Sequence, residues 1–405
     1  MNQEHKEHKF VSLVGGYQPQ EETLGIEMQI KKLTIGLPLD RERSDSRVAL
    51  APNAAGQLIR NGHKVLMEAG AGEGSWFTDS DYSENGVELV GKSEVFQAGI
   101  ILKVAPITHD EILSLTPRSV LISSLHLNAR SDEYFRRLMA KRITAIAFEY
   151  LQDRTGAFPI RRAMSEIAGN ASVMVAGELL SHPQLGKGHI LGGYSGVSPT
   201  EVVIIGAGTV GEFAARTAIG LGANVKVFDN AVYKLRTLQS NLQNRVFTSI
   251  VQPQVLKKAL QSADVLITAV HTGKGRTPIF VSAEMVSTMK QGSVIVDVSI
   301  DQGGCVETSR LTTNQSPVFV EYGVLHYCVP NIASRYSHTA SYAISNVLTP
   351  LLVAAGQAGG FDNMMKNNTG LRRGTYMLNG LLTNHLVSDF FKLPYQDIDL
   401  LVAAF

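Results

Sequence analysis

Cysteine is almost missing from this chain, with only Cys305 and Cys328 among 405 residues. Two thiols make no disulfide framework and cannot complete a tetrahedral zinc site alone, so no metal is expected. Such usage suits a reducing cytoplasm. Aromatic residues amount to 7%, with one tryptophan, few for a surface that stacks bases or sugars. An excess of one charge is lacking too: 37 Lys+Arg against 36 Asp+Glu leaves +1. That balance argues against a nucleic-acid binder or a polybasic membrane protein. The most apolar C-terminal stretch, 347–355, is short and carries Pro350, which argues against a membrane span. Residues 1–9 are polar and mixed in charge, without the apolar core of a secretion signal.

What is present points to an α/β protein: 44% hydrophobic residues and 37 glycines. The length allows two or three domains. Residues 1–31 read as an extension, broken by Gly15, Gly16 and Pro19, before a first strand in Lys32-Leu33-Thr34-Ile35-Gly36. Strands are expected at 64–68, 100–104, 120–123 and 144–148, with helices at 51–61 and 132–141 between them. A second series at 202–205, 225–228, 265–270, 294–298 and 317–321 consists of short aliphatic runs. A parallel sheet buried on both faces requires runs of that kind. From about Thr339 the chain reads as helical, with 340–355 and 380–393 the best candidates.

The strongest motif is Val203-Ile204-Ile205-Gly206-Ala207-Gly208-Thr209-Val210-Gly211. It follows an apolar strand and opens a helix striped by Val210, Phe213, Ala214, Thr217, Ala218 and Leu221, the context a dinucleotide fingerprint needs. Gly206 permits the tight turn, Gly208 lets backbone approach a pyrophosphate, and Gly211 lets the helix pack on the strand. The helix N-terminus offers free N–H groups to phosphates. Asp229 ends the next strand, 18 residues after Gly211. A carboxylate there accepts the adenosine ribose hydroxyls and repels a 2′-phosphate, favouring NAD over NADP. Lys234 reads equally as a residue that tolerates a phosphate or as a solvated helix lysine.

Ligands of open α/β sheets bind beyond the carboxyl ends of the strands. Asp301 and the Gly303-Gly304 turn follow the fourth strand of the second series, where the nicotinamide end belongs. His126 follows the 120–123 strand of the first series. A His facing an Asp across a cleft is a plausible acid–base pair for oxidising a carbon bearing OH or NH₂. On spacing alone, His126 is more often a structural histidine.

Ordered motifs carry a resemblance. Ser46-Arg47-Val48-Ala49-Leu50-Ala51-Pro52, Gly70-Ala71-Gly72-Glu73-Gly74-Ser75, Leu125-His126-Leu127, Met164-Ser165-Glu166-Ile167-Ala168-Gly169, Ile300-Asp301-Gln302-Gly303-Gly304-Cys305 and Tyr327-Cys328-Val329-Pro330-Asn331 together resemble the alanine dehydrogenases. Relatives are the transhydrogenase α subunit and lysine-forming saccharopine dehydrogenase. The resemblance implies two Rossmann-like domains with parallel sheets and a cleft between them: 32–159 plus 338–405 for substrate, 160–337 for NAD. It implies NAD-linked oxidative deamination of L-alanine to pyruvate and ammonium, reversibly, in a homohexamer. By the same resemblance Arg47 grips the substrate carboxylate, and His126 and Asp301 handle protons. Ser165 contacts the pyrophosphate, Asp229 and Lys234 the adenosine, and Val270 and Asn331 the nicotinamide half.

One departure stands out. The family's Lys-Val-Lys-Glu-Pro becomes Lys103-Val104-Ala105-Pro106-Ile107. Counted back from His126 without gaps, the second lysine, which also binds substrate carboxylate, falls on Ala105. Lys103 lies two residues away, ~6.8 Å along a strand at ~3.4 Å per residue, and would have to slip register. Arg162 and Arg335 are the other candidate substitutes. The departure leaves two alternatives open: a dehydrogenase of another small amino or 2-oxo acid, and an NAD(H)-binding sensor without turnover.

Overall fold

The structure, a computed structural model, describes residues 31–42, 45–127, 130–273 and 275–403. The extension read at 1–31 therefore lies outside the described residues except for Lys31, as does Lys274.

Among the described residues the strands form two sheets. The first contains β1 (Thr34–Leu37), β2 (Lys64–Glu68), β3 (Glu88–Val90), β4 (Ile100–Leu102), β5 (Val120–Ser123) and β6 (Thr144–Ala147). These six are mutually parallel. The second contains β7 (Glu201–Ile205), β8 (Asn224–Phe228), β9 (Phe247–Ser249), β10 (Val265–Thr268), β11 (Val294–Asp297), β12 (Val318–Glu321) and β13 (Val324–Tyr327). Its order is β12-β13-β11-β10-β7-β8-β9, and only β12 runs antiparallel. The strands β7, β10 and β11 are almost wholly buried, as helices on both faces require.

The C-terminal reading needs correction. Two strands, β14 (Thr375–Leu378) and β15 (Leu381–Leu382), complete the first sheet in the order β15-β14-β6-β5-β4-β1-β2-β3. Residues 380–393 are not one helix: β15 is followed by a short helix, His385–Phe391. The cause is Asn379-Gly380, both at positive φ (49° and 83°), the two-residue turn that favours hairpins. The stripe of the helix Thr209–Gly220 also shifts. That helix ends before Leu221, which is 41% exposed, while Gly211, Ala214, Ala215 and Ala218 form its buried face.

Two long helices join the halves. Pro159–Ser181 starts in the first core through Ile160 and continues in the second through Ala168, Val175 and Leu179; Met164 packs against both. At Gly169 a Cβ would lie 2.5 Å from the Val210 carbonyl oxygen, so the absence of a side chain lets this helix cross Thr209–Gly220 closely. Ser337–Gln357 returns to the first half, seating Ile344, Leu348 and Leu352 in its core. By length and composition the segment Ile332–Gln357 is apolar enough to cross a membrane. Its fully buried leucines identify it as a core helix.

Candidate functional site

The parallel strands reverse their order at β4-β1 in the first sheet and at β10-β7 in the second, and ligands settle beyond strand ends at such points. In the second sheet Gly206 follows β7 with φ 109°, and a Cβ there would stand 2.4 Å from the Ala269 carbonyl oxygen. At Gly211 a Cβ would approach the Gly206 carbonyl oxygen to 1.9 Å. Gly208 differs, since nothing lies within 4 Å of its imagined Cβ. That open space adjoins the free N–H groups of the helix Thr209–Gly220, a cradle suited to a pyrophosphate. Asp229 accepts from Ala207 N at 2.8 Å and Ala231 N at 2.7 Å. Its carboxylate is thereby fixed beside the turn, with lone pairs left for hydroxyls.

Ser165, Val270, Asp301 and Asn331 line one cavity of about 620 Å³, including its open mouth, together with Met164, Ala168, Val210 and His271. Asn331, at φ 53°, donates its N–H to Asp301 Oδ1 at 2.8 Å. Burial pushes the Asp301 carboxyl up, helped by the charge of Asp297, while Asn331 and Arg47 work against it. Burial likewise lowers His271, followed by the charges of Arg161 and Lys234; Lys234 is thus felt at the cavity wall.

From the first half, Arg47 touches Met164 of this cavity's wall. Its Nη1 lies 3.2 Å from Met164 Sδ. The loop that carries it is bolted to the long return helix: Val48 N donates to Ser341 Oγ at 2.9 Å and Ala51 N to Ser345 Oγ at 2.7 Å. Ser75 Oγ donates to the Ser46 carbonyl oxygen at 2.7 Å, and Gly74 sits where a Cβ would come within 2.9 Å of that oxygen. The glycine-rich segment 70–75 is therefore the bed of the arginine loop. Asp45, which sequence reasoning passed over, holds the guanidinium with both oxygens.

His126 follows β5 at φ 44°, a left-handed conformation that costs of order 1–3 kcal/mol for a side chain of this kind. Burial lowers its pKa first; Arg130 and Arg47 lower it further, and Asp45 opposes them. The neighbouring Leu125 N donates to Glu149 Oε1 at 2.8 Å. Glu149, also missed, has an unpartnered buried Oε2, and burial raises its pKa.

The three substitutes weighed for the missing lysine are engaged elsewhere. Lys103 Nζ lies 3.0 Å from both oxygens of Glu111 and 3.2 Å from Asp40 Oδ1, all of them buried or nearly so. This triad fills the reversal point of the first sheet. Arg162 pairs with Glu166 at 3.0 Å and Arg335 with Glu178 at 2.6 Å. Ala105 is 3% exposed. Both cysteines are free and buried, with their thiols pushed up to about 12 by burial.

Comparison with known proteins agrees with this architecture. Residues 36–168 match the family model for the N-terminal domain, and residues 172–385 that for the C-terminal domain, of alanine dehydrogenase/PNT. The alanine dehydrogenase of Methanococcus maripaludis is 37% identical over 366 residues, 90% of this chain and 98% of that protein. The alanine dehydrogenase of Bacillus subtilis is 38% identical over 359 residues, 88% and 94% of the two. A solved L-alanine dehydrogenase superposes with a TM-score of 0.83 at 35% identity, covering 89% of this chain and 99% of that one. Two mostly parallel sheets, a dinucleotide-type turn and near full-length likeness thus converge, and the chain belongs to the alanine dehydrogenase/PNT family, enzymes that act on small molecules with a nucleotide cofactor.

Proposed function

We propose that the protein catalyses the NAD-dependent oxidative deamination of L-alanine to pyruvate and ammonium, and its reverse. One observation carries the reading: Ser165, Val270, Asp301 and Asn331 surround a single cavity whose Met164 wall touches Arg47. In this reading residues 32–159 with 338–405 hold substrate, and 160–337 hold the nucleotide.

Gly206, Gly208 and Gly211 admit the pyrophosphate, with Ser165 beside it. Asp229 takes the adenosine ribose, which favours NAD, and Lys234 lies near the adenosine. Val270 and Asn331 border the nicotinamide half. NAD, when bound, accepts the hydride from the substrate Cα.

The chain's own groups position the substrate and move protons. Arg47 orients the carboxylate end. His126, favoured in its neutral form by burial and Arg130, takes a proton from the substrate's amino group or from the water that attacks the imine. Asp301, favoured in its protonated form by burial, supplies or accepts the second proton at the nitrogen leaving as ammonia. A homohexamer is the assembly the resemblance supports, and two free buried thiols fit a reducing cytoplasm.

The test is NADH consumption by the purified protein with pyruvate and ammonium. Turnover is expected. Consumption only with a different 2-oxo acid reassigns the substrate. NADH binding without turnover on any such acid replaces the enzyme reading with a sensor.

A further inference from the structure

Among the described residues, the charges of Arg47, Arg130 and Arg161 act on His126, Asp301, Glu149 or His271, and the three keep different company. Arg47 has its fork filled by Asp45, so the pair carries no net charge. Arg130 leans on the core: its guanidinium lies 5.4 Å from the centroid of the Tyr134 ring, its Nε is buried without a hydrogen-bond partner, and its charge is felt by His126 and by the fully buried Tyr134 and Tyr376.

Arg161 stands differently. It sits on the helix Pro159–Ser181 three, four and seven residues before Met164, Ser165 and Ala168, hence on the same helical face. Those three residues line the cavity. Its guanidinium rests on the Phe158 ring, 5.0 Å from the centroid, and among the described residues no carboxylate pairs with it. Its charge reaches Glu149 in the first half and His271 in the second. It therefore stands between the two walls of the cleft. The adjacent Arg162 points its guanidinium to Glu166 instead.

We propose that Arg161 is the cationic anchor for the substrate carboxylate, a task that Arg47, already closed on Asp45, does not fulfil alone. The proposal rests on reading the protein as an amino-acid dehydrogenase. It names the ligand class as a small 2-oxo or 2-amino monocarboxylate. A half-buried guanidinium without a partner carboxylate attracts an anion and matches its two oxygens with parallel N–H donors. Asp301 and Glu149 are both favoured towards their neutral forms by burial, so neither cancels the charge of Arg161. Lys103 and Arg335 are held by carboxylates, and Ala105 offers no charge, so the anchor has moved from a strand end to the helix that joins the halves.

The experiment compares wild type, Arg161→Leu and Arg161→Lys by steady-state kinetics in pyruvate, with NADH affinity measured separately by fluorescence. Arg161→Leu is expected to raise KM for pyruvate about 10- to 100-fold, the effect of one lost charge-assisted hydrogen bond. Its kcat should change far less, its NADH affinity should stay within about twofold, and Arg161→Lys should recover most of the loss. Arg161→Gln gives the same comparison where leucine impairs folding. An unchanged KM overturns the proposal, as does an equal loss of NADH affinity, which would put Arg161 on a cofactor phosphate. Preference of the wild type for a 2-oxo dicarboxylate places Arg161 on a side-chain acid and overturns it too. Should the wild type not turn over pyruvate, the alanine reading fails. The anchor is then read from the thermal shift given by oxamate with NADH, expected in wild type and absent in Arg161→Leu; no shift in wild type, or an equal shift in both, overturns it.

Discussion

Asp45 closes both carboxylate oxygens on Arg47, accepting from Nη2 at 2.5 Å and from Nε at 2.9 Å. The contact does two things. It fixes the guanidinium against Met164, and it places a negative charge that supports His126 in its protonated form. Asp45→Asn removes the charge and retains an oxygen acceptor. The pKa of His126, already lowered, then falls further, so the acid limb of kcat/KM for alanine moves to lower pH. A limb that stays in place or moves upward would separate Asp45 from the proton-transfer group.

The glycines of the turn after β7 divide into two kinds. At Gly211 a methyl group collides with the Gly206 carbonyl oxygen, whereas at Gly208 it meets nothing of the protein. Gly208→Ala should therefore fold with stability within about 1 kcal/mol of wild type, the cost of an alanine at a helix N-cap. Its NADH affinity should drop tenfold or more, because the methyl occupies the space over the helix N-terminus. Gly211→Ala should lose stability as well as affinity. Calorimetry and fluorescence titration on both variants read the contrast; equal NADH affinity in Gly208→Ala and wild type would remove the pyrophosphate from that space.

Lys103 holds Glu111 and Asp40 in a largely buried cluster, and Glu111 also caps its own helix by accepting from Thr108 N at 2.9 Å. Lys103→Met leaves the carboxylates without their cation. A loss of about 3–5 kcal/mol is expected by urea denaturation, the usual effect of breaking a buried pair from one side. Because the lysine is structural, KM for pyruvate in the folded fraction should change less than twofold. A stable variant with a greatly raised KM would return Lys103 to the substrate.

Glu149 is a buried carboxyl with one oxygen unpartnered and a raised pKa. The folded state then holds its proton at pH values where the unfolded chain has released it. Stability from this group falls as pH rises above the ordinary carboxylate range and is lost beyond the folded pKa. Glu149→Gln keeps an acceptor for Leu125 N and has no proton to lose. Its melting temperature should gain on the wild type between acidic and neutral pH, and a constant difference across that range would refute the assignment.

Much of this was readable in the residues. Aliphatic runs marked β7, β10 and β11 within a residue or two, because strands buried on both faces have no reason to alternate. Gly206, Gly211 and Asp229 declared their turn by spacing. What the sequence hid depended on tertiary company. Asp40, Asp45 and Glu111 look like ordinary surface acids until the fold brings Arg47 and Lys103 to them. Arg161 and Arg162 are neighbours of the same type; helical phase separates them, since only 161 shares a face with 164, 165 and 168. The strands β14 and β15 were overlooked despite Asn379-Gly380, a hairpin signal, because the surrounding residues read as helical.

The first sheet is sewn together from distant parts of the chain: Asn379 N donates to Thr144 Oγ1 across 235 positions. During synthesis the β6 edge therefore stays open while the whole second sheet is being made. The half built on the second sheet can collapse on its own contiguous strands, whereas the first half must wait for its last hairpin. Until then its unpaired edge is the place where a chaperone, or a second nascent chain, would bind.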